Sequence, residues 1–251
     1  MTDSFCDTPE LGVLARDDAK GFAIAPHAHD EHQIVHASRG IMRVMTDDGA
    51  WVVPPGRALW MPARTVHWIH CVTDVSMRTV YLRGADPSWP KTSTVWSVSG
   101  LMRELILRLV EGPVPTGQKP LLTALLLAEL DSVDQVPLSL AIPDDTRLRR
   151  VTDALQMDPG DRRPLEAWAQ IAGATPRTLI RLFRKETGLT FREWRRQLRL
   201  LAALERLAIG QPVTMVALDL GYASPSAFVY AFRSALGTTP ARYFDPQKIA
   251  D

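Results

Sequence analysis

Between Ala169 and Tyr243 one sequence pattern occurs twice, 49 residues apart, and no other feature of the chain restricts its fold so strongly. Thr175-Pro176-Arg177-Thr178-Leu179-Ile180-Arg181-Leu182-Phe183-Arg184, closed by Gly188, corresponds to Ser224-Pro225-Ser226-Ala227-Phe228-Val229-Tyr230-Ala231-Phe232-Arg233, closed by Gly237. The pairs Pro176/Pro225, Phe183/Phe232, Arg184/Arg233, Gly188/Gly237 and Thr190/Thr239 are identical. A short helix and a glycine turn precede each copy, Ala169-x3-Gly173 before the first and Ala217-x3-Gly221 before the second, the two turns differing by one residue. Two helices joined by a tight glycine-containing turn form the unit that lays its second helix in the major groove of DNA.

Charge agrees with that partner once it is divided by region. The whole chain carries only +1, but residues 144–245 hold 16 Lys and Arg against 11 Asp and Glu, leaving 13 against 17 for the remainder. The basic part is the part that would meet phosphate. At 251 residues with 46% hydrophobic content, two ordinary domains are expected. No apolar run approaches the roughly 20 residues needed to span a bilayer, and Met1–Leu11 is acidic and polar, unlike a signal peptide. A cytoplasmic protein without a membrane partner is therefore expected, with Cys6 and Cys71 as free thiols.

Periodicity changes along the chain. From about Gly21 to Leu82, short runs such as Ile41–Met45, Ala50–Val53, Ala58–Met61 and Met77–Leu82 are separated by Asp47-Asp48-Gly49, Pro54-Pro55-Gly56 and Pro62-Ala63-Arg64, the text of a small barrel or sandwich. After Pro90 it becomes helical. Leu101, Leu105, Ile106 and Leu109 mark one apolar face over Val98–Glu111, and Pro120–Val133 is leucine-rich throughout. That pair of helices covers the barrel, or also forms a homodimer interface. The reading divides the chain into 1–136, a linker at 137–143, and 144–251, with Asp144 and Asp145 capping a helix over Thr146–Met157. The fold class is α+β: an N-terminal barrel with a helical pair, then an all-α region with two helix-turn-helix motifs joined by a long helix.

The repeated unit carries its chemistry on exposed faces. Thr175 and Ser224 are hydroxyl N-caps followed by proline at the first helical position. In the first helix Leu179, Leu182 and Phe183 form the buried stripe, turning Arg177, Arg181, Arg184 and Lys185 outward, either toward guanine edges and phosphates or toward Glu186 and Glu193 as a solvated face. The second buries Phe228, Ala231 and Phe232 and presents Ser226, Val229, Tyr230 and Arg233, of which Val229 suits a thymine methyl or a neighbouring helix. Thr190-Phe191-Arg192-Glu193 is a capping box opening a helix that runs to Ile209, a spacer of about 28 Å. Its Arg192, Arg195, Arg196 and Arg199 would touch phosphate or water.

Leu165-x3-Ala169, Arg177-x-Leu179-x-Arg181-x-Phe183, Gly188, Trp194-x4-Arg199-Leu200, Ala217-x3-Gly221-Tyr222-x-Ser224-x-Ser226-Ala227-Phe228-x3-Phe232 and Gly237-x2-Pro240-x2-Tyr243 together resemble the DNA-binding domain of the AraC/XylS family of bacterial transcriptional regulators. The resemblance implies base contacts from Arg177, Thr178, Ile180 and Arg181 in the first unit and Ser226, Val229 and Tyr230 in the second. Ile180 and Val229 can offer only apolar contact.

All six histidines lie between His27 and His70. Gly21-x5-His27-x-His29-x3-Gln33-x6-Gly40 is similar to the first cupin motif, with Gln33 where a carboxylate ligand usually stands, and Pro62-x4-His67 resembles the second. The resemblance implies that His27, His29, Gln33 and His67 hold a divalent ion such as nickel, zinc or iron, or hydrogen-bond an organic effector. His27 and His29 share a face if their segment is extended. Trp51, Trp60, Trp68 and Tyr81 line an aromatic pocket or fill the barrel core. The expected protein is not an enzyme but a sensor of a small molecule or metal that binds double-stranded operator DNA, and RNA polymerase if it activates. A metal-dependent cupin enzyme with autoregulatory DNA binding is the alternative. The wording His29-Asp30-Glu31-His32-Gln33 with Trp51-Val52-Val53-Pro54-Pro55-Gly56 is similar to a cupin-armed subgroup that often represses neighbouring exporter genes, so a repressor is favoured.

Overall fold

The computed structural model describes residues 10–47, 49–84, 89–130, 136 and 138–244. Its strands are β1 (Glu10–Asp18), β2 (Ala23–His27), β3 (His32–Arg39), β4 (Met42–Met45), β5 (Gly49–Val53), β6 (Arg57–Met61), β7 (His67–Cys71), β8 (Val75–Arg83), β9 (Thr94–Ser97) and β10 (Ser139–Ala141). The helices are α1 (Gly100–Val110), α2 (Lys119–Leu130), α3 (Thr146–Met157), α4 (Leu165–Ala172), α5 (Pro176–Thr187), α6 (Phe191–Ala208), α7 (Val213–Asp219), α8 (Pro225–Leu236) and α9 (Pro240–Tyr243). Contacts divide the chain into two compact units, residues 1–42 with 53–136, and residues 43–52 with 137–251. Residues 43–52, read from sequence as part of the first domain, thus group with the second unit.

The first unit contains a five-stranded antiparallel sheet in the order β1-β8-β3-β6-β9, and the β2–β7 pair. One face of that sheet supplies Leu11, Ile34, Ala58, Trp60, Val80, Leu82 and Trp96 to a core completed by Met102, Leu105, Ile106 and Leu109 of α1 and Leu126 of α2. Ser99 caps α1 by accepting from the Met102 amide at 3.0 Å. Of the apolar face expected from sequence, Leu105, Ile106 and Leu109 are buried, but Leu101 is exposed and Met102 is buried in its place, because 102, 105, 106 and 109 fall at i, i+3, i+4 and i+7 on one stripe and 101 lies off it. Trp60 is core, its indole donating to the Pro90 carbonyl. Cys71 is a buried free thiol, and Cys6 lies outside the described residues.

In the second unit β10 pairs antiparallel with β5, so part of the stretch read as linker is a strand. Trp51, Val52, Leu138 and Leu140 are buried there. The Trp194 indole of α6 donates to the Ala141 carbonyl at 3.0 Å. Arg43 makes a two-point bond to Glu205 of α6, with Nε to Oε1 at 2.7 Å. The helices form from local signals that were visible in the sequence. Asp145 caps α3 at the Arg147 amide, Thr190 and Glu193 complete the capping box of α6, and αL glycines Gly188 and Gly237 end α5 and α8.

Candidate nucleic-acid interface and histidine cluster

The two helix-turn-helix units are α4–α5 and α7–α8. Thr175 and Ser224 each accept a hydrogen bond at 3.2 Å, from the Thr178 and Ala227 amides, and Pro176 and Pro225 open the helices. In α5, Leu179, Leu182 and Phe183 are buried, and Phe183 packs on Phe191 and Trp194 with ring centroids 5.3 and 6.0 Å away. In α8, Phe228, Phe232 and Leu236 are buried, and rings run from Tyr222 through Phe228 and Phe232 to Tyr243. Ala231 is only half-buried, so Leu236 completes that face rather than Ala231.

Among the base-contact candidates, Arg177, Ile180 and Arg181 are exposed, and Ile180 retains 51% of its accessible surface. Thr178 is half-buried, with its hydroxyl 3.0 Å from that of Thr175. Ser226 is exposed, Val229 half-buried, and Tyr230 78% exposed. An aromatic ring that open on a helix face is unusual without a partner. Of the basic face of α5, Arg184 pairs with Glu193 at 3.8 Å, whereas Arg177 and Arg181 make no ion pair among the described residues. Glu186 is occupied elsewhere, accepting from the amides of Asp144 and Asp145. The spacer α6 has 18 residues, about 27 Å at 1.5 Å per residue, against roughly 34 Å between successive major-groove faces. Its arginines divide: Arg192 and Arg196 are exposed, but Arg195 and Arg199 turn inward onto backbone carbonyls.

The histidines form a second constellation, in the first unit. His27 and His67 are register partners across β2–β7, and His29 lies just beyond the end of β2. Ring centroids are 4.2 Å apart for His27–His67, 4.9 Å for His27–His29 and 5.7 Å for His29–His67. One ligand nitrogen from each can be chosen so that all three lie within 4.8 Å of one another. A carbonyl oxygen can only accept, so Nδ1 of His27 donates to Ala25 at 2.8 Å and Nδ1 of His67 to Thr65 at 2.9 Å. Both rings are thereby held in the tautomer that leaves Nε2 with its lone pair, the orientation a metal-ligating imidazole needs. Burial pushes the His67 pKa down to about 4, helped by the neighbouring His27 and His29 and opposed by the bond to Thr65. Burial, then His27, lowers that of His29, and Glu31 opposes the shift.

Gln33, the fourth candidate, is buried on β3 directly opposite Tyr81 and Met61 on the flanking strands. Its amide nitrogen has no hydrogen-bond partner. Opposed residues of antiparallel strands share a face, and the Tyr81 ring meets His29 edge-on at 5.2 Å. Gln33 therefore belongs to the histidine side of the sheet. His32 is used differently, accepting from the Ala63 amide and stacking on Trp60. Beside the cluster lies a cavity of about 370 Å³ bordered by Leu11, Gly12, Val13, His29, Glu31, Tyr81 and Arg83. Of the aromatics named from sequence, Tyr81 is the one on this cavity. Glu31 and Arg83, paired at 2.5 Å, also border it and are not among the residues expected from sequence; two acids within His29-Asp30-Glu31-His32 are the signal that pointed to Glu31.

Comparison with known proteins decides the family. Residues 11–106 match the AraC-like ligand binding domain, and residues 168–245 match a helix-turn-helix domain. Over 220 residues the chain is 32% identical to the HTH-type transcriptional regulator NimR of Escherichia coli (strain K12), spanning 86% of this chain and 81% of that protein. The chain belongs to the AraC family of transcriptional regulators. It is also 37% identical over 110 residues to the regulator RipA of Corynebacterium glutamicum, covering 44% of this chain and 33% of RipA. Unsaturated fatty acid-bound ToxT of Vibrio cholerae aligns at 13% identity and a TM-score of 0.40, over 93% of this chain and 94% of ToxT. This AraC-family regulator is thus a DNA-binding protein with a ligand-binding domain, and its named relatives are regulators, which sets the enzyme alternative aside. No helix among the described residues is long and apolar enough to cross a membrane.

Proposed function

We propose that this AraC-family regulator is a cytoplasmic repressor whose ligand-binding domain senses a divalent metal ion and adjusts the grip of α5 and α8 on operator DNA. The observation that carries the reading is the matched pinning of His27 and His67, each with Nε2 left for a ligand, beside His29. Three imidazoles suit zinc, nickel or iron(II), which all accept nitrogen donors. Gln33 would add a neutral amide oxygen. A site without a carboxylate binds more weakly and releases more readily, as a sensor requires. The 370 Å³ cavity beside His29 favours a second reading, a small organic effector held by Glu31, Tyr81 and Arg83.

Repression is supported by the resemblance of the histidine segment to exporter-repressing regulators. A homodimer is supported by exposed leucines on α1 and α2, Leu101, Leu121 and Leu125. Arg177 and Arg181 would read guanine edges, and Tyr230 and Val229 would meet backbone and thymine methyls. The test combines calorimetric titration of apo protein with zinc, nickel and iron(II) and operator binding with and without chelator. Saturable binding that changes operator affinity supports metal sensing; binding without any such change sinks it. A transcription assay gives the sign, and stimulation would bring in RNA polymerase as a partner.

A further inference from the structure

Five arginines, Arg162, Arg192, Arg195, Arg196 and Arg199, line one cavity of about 440 Å³ with Gly221, Tyr222 and Ala231, and among the described residues no carboxylate borders it. The cavity lies within the second unit, lined from α6, from α8 and the turn before it, and from the loop that precedes α4. Nearby acids are committed elsewhere. The Asp161 carboxylate is taken by the amide and guanidinium of Arg163, and that of Asp158 caps the Gly160 amide. None of the five arginines has an ion pair among the described residues.

Their positions are fixed by neutral acceptors instead. Arg195 donates to the carbonyls of Arg163 and Asp161, Arg199 to those of Pro159 and Asp161, and Arg162 to that of Tyr222. Carbonyls orient a guanidinium without neutralising it. The Nε of Arg195 is buried with no acceptor at all. Burial, and then Arg199, lowers the pKa of Arg195 against the pull of Asp161; burial lowers that of Arg199, with Arg162 adding to the shift and Tyr222, Asp161 and Asp158 opposing it. Crowded, partly desolvated like charges cost free energy unless an anion joins them. The wall is built for close approach: Gly221 has φ +75, and a Cβ there would lie 2.5 Å from the Gly160 carbonyl and 3.3 Å from an Arg199 nitrogen. Arg192 and Arg196 stay exposed, Arg196 donating to the Ser234 hydroxyl at 3.3 Å.

We propose that this pocket is an anion site taking a phosphoryl group, with Arg195, Arg199 and Arg162 as its preset floor and Arg192 and Arg196 as closing forks. Planar guanidinium groups match phosphate oxygens by two-point hydrogen bonding. The phosphoryl group comes from a free phosphorylated molecule or from the DNA backbone, and the test separates these sources. It is independent of the histidine cluster.

The experiment uses the full chain. Its melting temperature is followed as sodium phosphate or pyrophosphate is added, against sodium chloride at equal ionic strength, for the wild type, the Arg192→Gln/Arg196→Gln double variant and Arg150→Gln. Arg150 is exposed on α3 and outside the pocket, so its variant controls for charge removal. A saturable phosphate-specific rise in the wild type and Arg150→Gln, with at least tenfold weaker half-saturation in the double variant, supports the site. In parallel, duplex binding is titrated over salt. If the double variant loses roughly 0.9 of log–log salt slope per phosphate contact and phosphate competes with duplex, the source is DNA. If the slope is unchanged while the phosphate response is lost, the source is a free anion. No phosphate-specific response in the wild type together with an unchanged slope overturns the proposal, as does a response that the double variant keeps in full.

Discussion

His27 and His67 face each other with ring centroids 4.2 Å apart, and each donates Nδ1–H to the carbonyl two residues before it. The same short-range bond, made on two strands, points two free imidazole nitrogens into one place. His67→Ala is therefore expected to weaken zinc or nickel binding by at least about tenfold, the scale on which even outer partners of metal ligands act. Gln33→Glu should strengthen it, since an anionic oxygen replaces a neutral one. Calorimetric titration of the three proteins checks both. Equal affinity in His67→Ala and wild type would put the metal elsewhere.

Arg181→Ala should lower operator affinity by about 1 to 3 kcal/mol and relax preference at one base position. Arg184→Ala should cost less, because Arg184 already spends part of its charge on Glu193. Binding to a library of operator variants distinguishes the two, and a uniform loss for Arg181→Ala would assign it to phosphate.

His36 is fully buried on β3, its Nδ1 donating to the Arg57 carbonyl, and burial pushes its pKa down to about 4 from 6.5. The hydrogen bond opposes that shift, while Arg103 and Arg78 add to it. The unfolded chain then binds more protons than the folded one between pH 6.5 and 4. Stability is fully present above 6.5 and falls across that window, by up to about 3 kcal/mol at the acid limit. Urea unfolding at pH 7.5 and 4.5 measures it. His36→Leu should flatten the slope to what His67, His29 and His32, all shifted downward by burial, still supply. An unchanged slope would exclude His36 as its source.

Gly221 and Gly237 have nearly the same φ, +75 and +77, but only Gly221 is closely approached by backbone. Gly237→Ala should cost roughly 1 to 2 kcal/mol, the price of a left-handed alanine. Gly221→Ala should cost clearly more, since a Cβ there would meet the Gly160 carbonyl. Thermal unfolding of both variants gives the difference, and equal losses would mean the loop simply yields.

The repeat was legible because its signals are local: a hydroxyl cap, a proline at the first turn and a closing glycine each act within four residues. The histidine pattern was legible for a related reason, since strand alternation and one register pair bring His27 and His67 together. Other features depended on tertiary context. β1 reads poorly because Leu11 is buried while Gly12, Val13, Leu14 and Ala15 are exposed, so burial does not alternate along it. Leu101 and Met102 are equally apolar, and only the packed sheet decides which turns inward. Arg195 and Arg199 look like any solvated stripe until the loop at Pro159–Arg163 supplies carbonyls to receive them. The linker at 137–143 held too few residues for β10 to show a period.

The bond from Arg43 to Glu205 spans 162 positions of chain, and with Trp51, Leu138, Leu140 and the Ala141 carbonyl it makes the DNA-binding half discontinuous in sequence. A fragment cut at Asp144 would keep both helix-turn-helix units yet leave the Trp194 indole and Glu205 without their acceptor and donor. Swapping this half between relatives at that boundary would transplant readers of DNA without the strands that brace them. Recombination that preserves the fold must carry the β4–β5 hairpin along, which ties the evolution of the operator-reading helices to ten residues encoded far upstream of them.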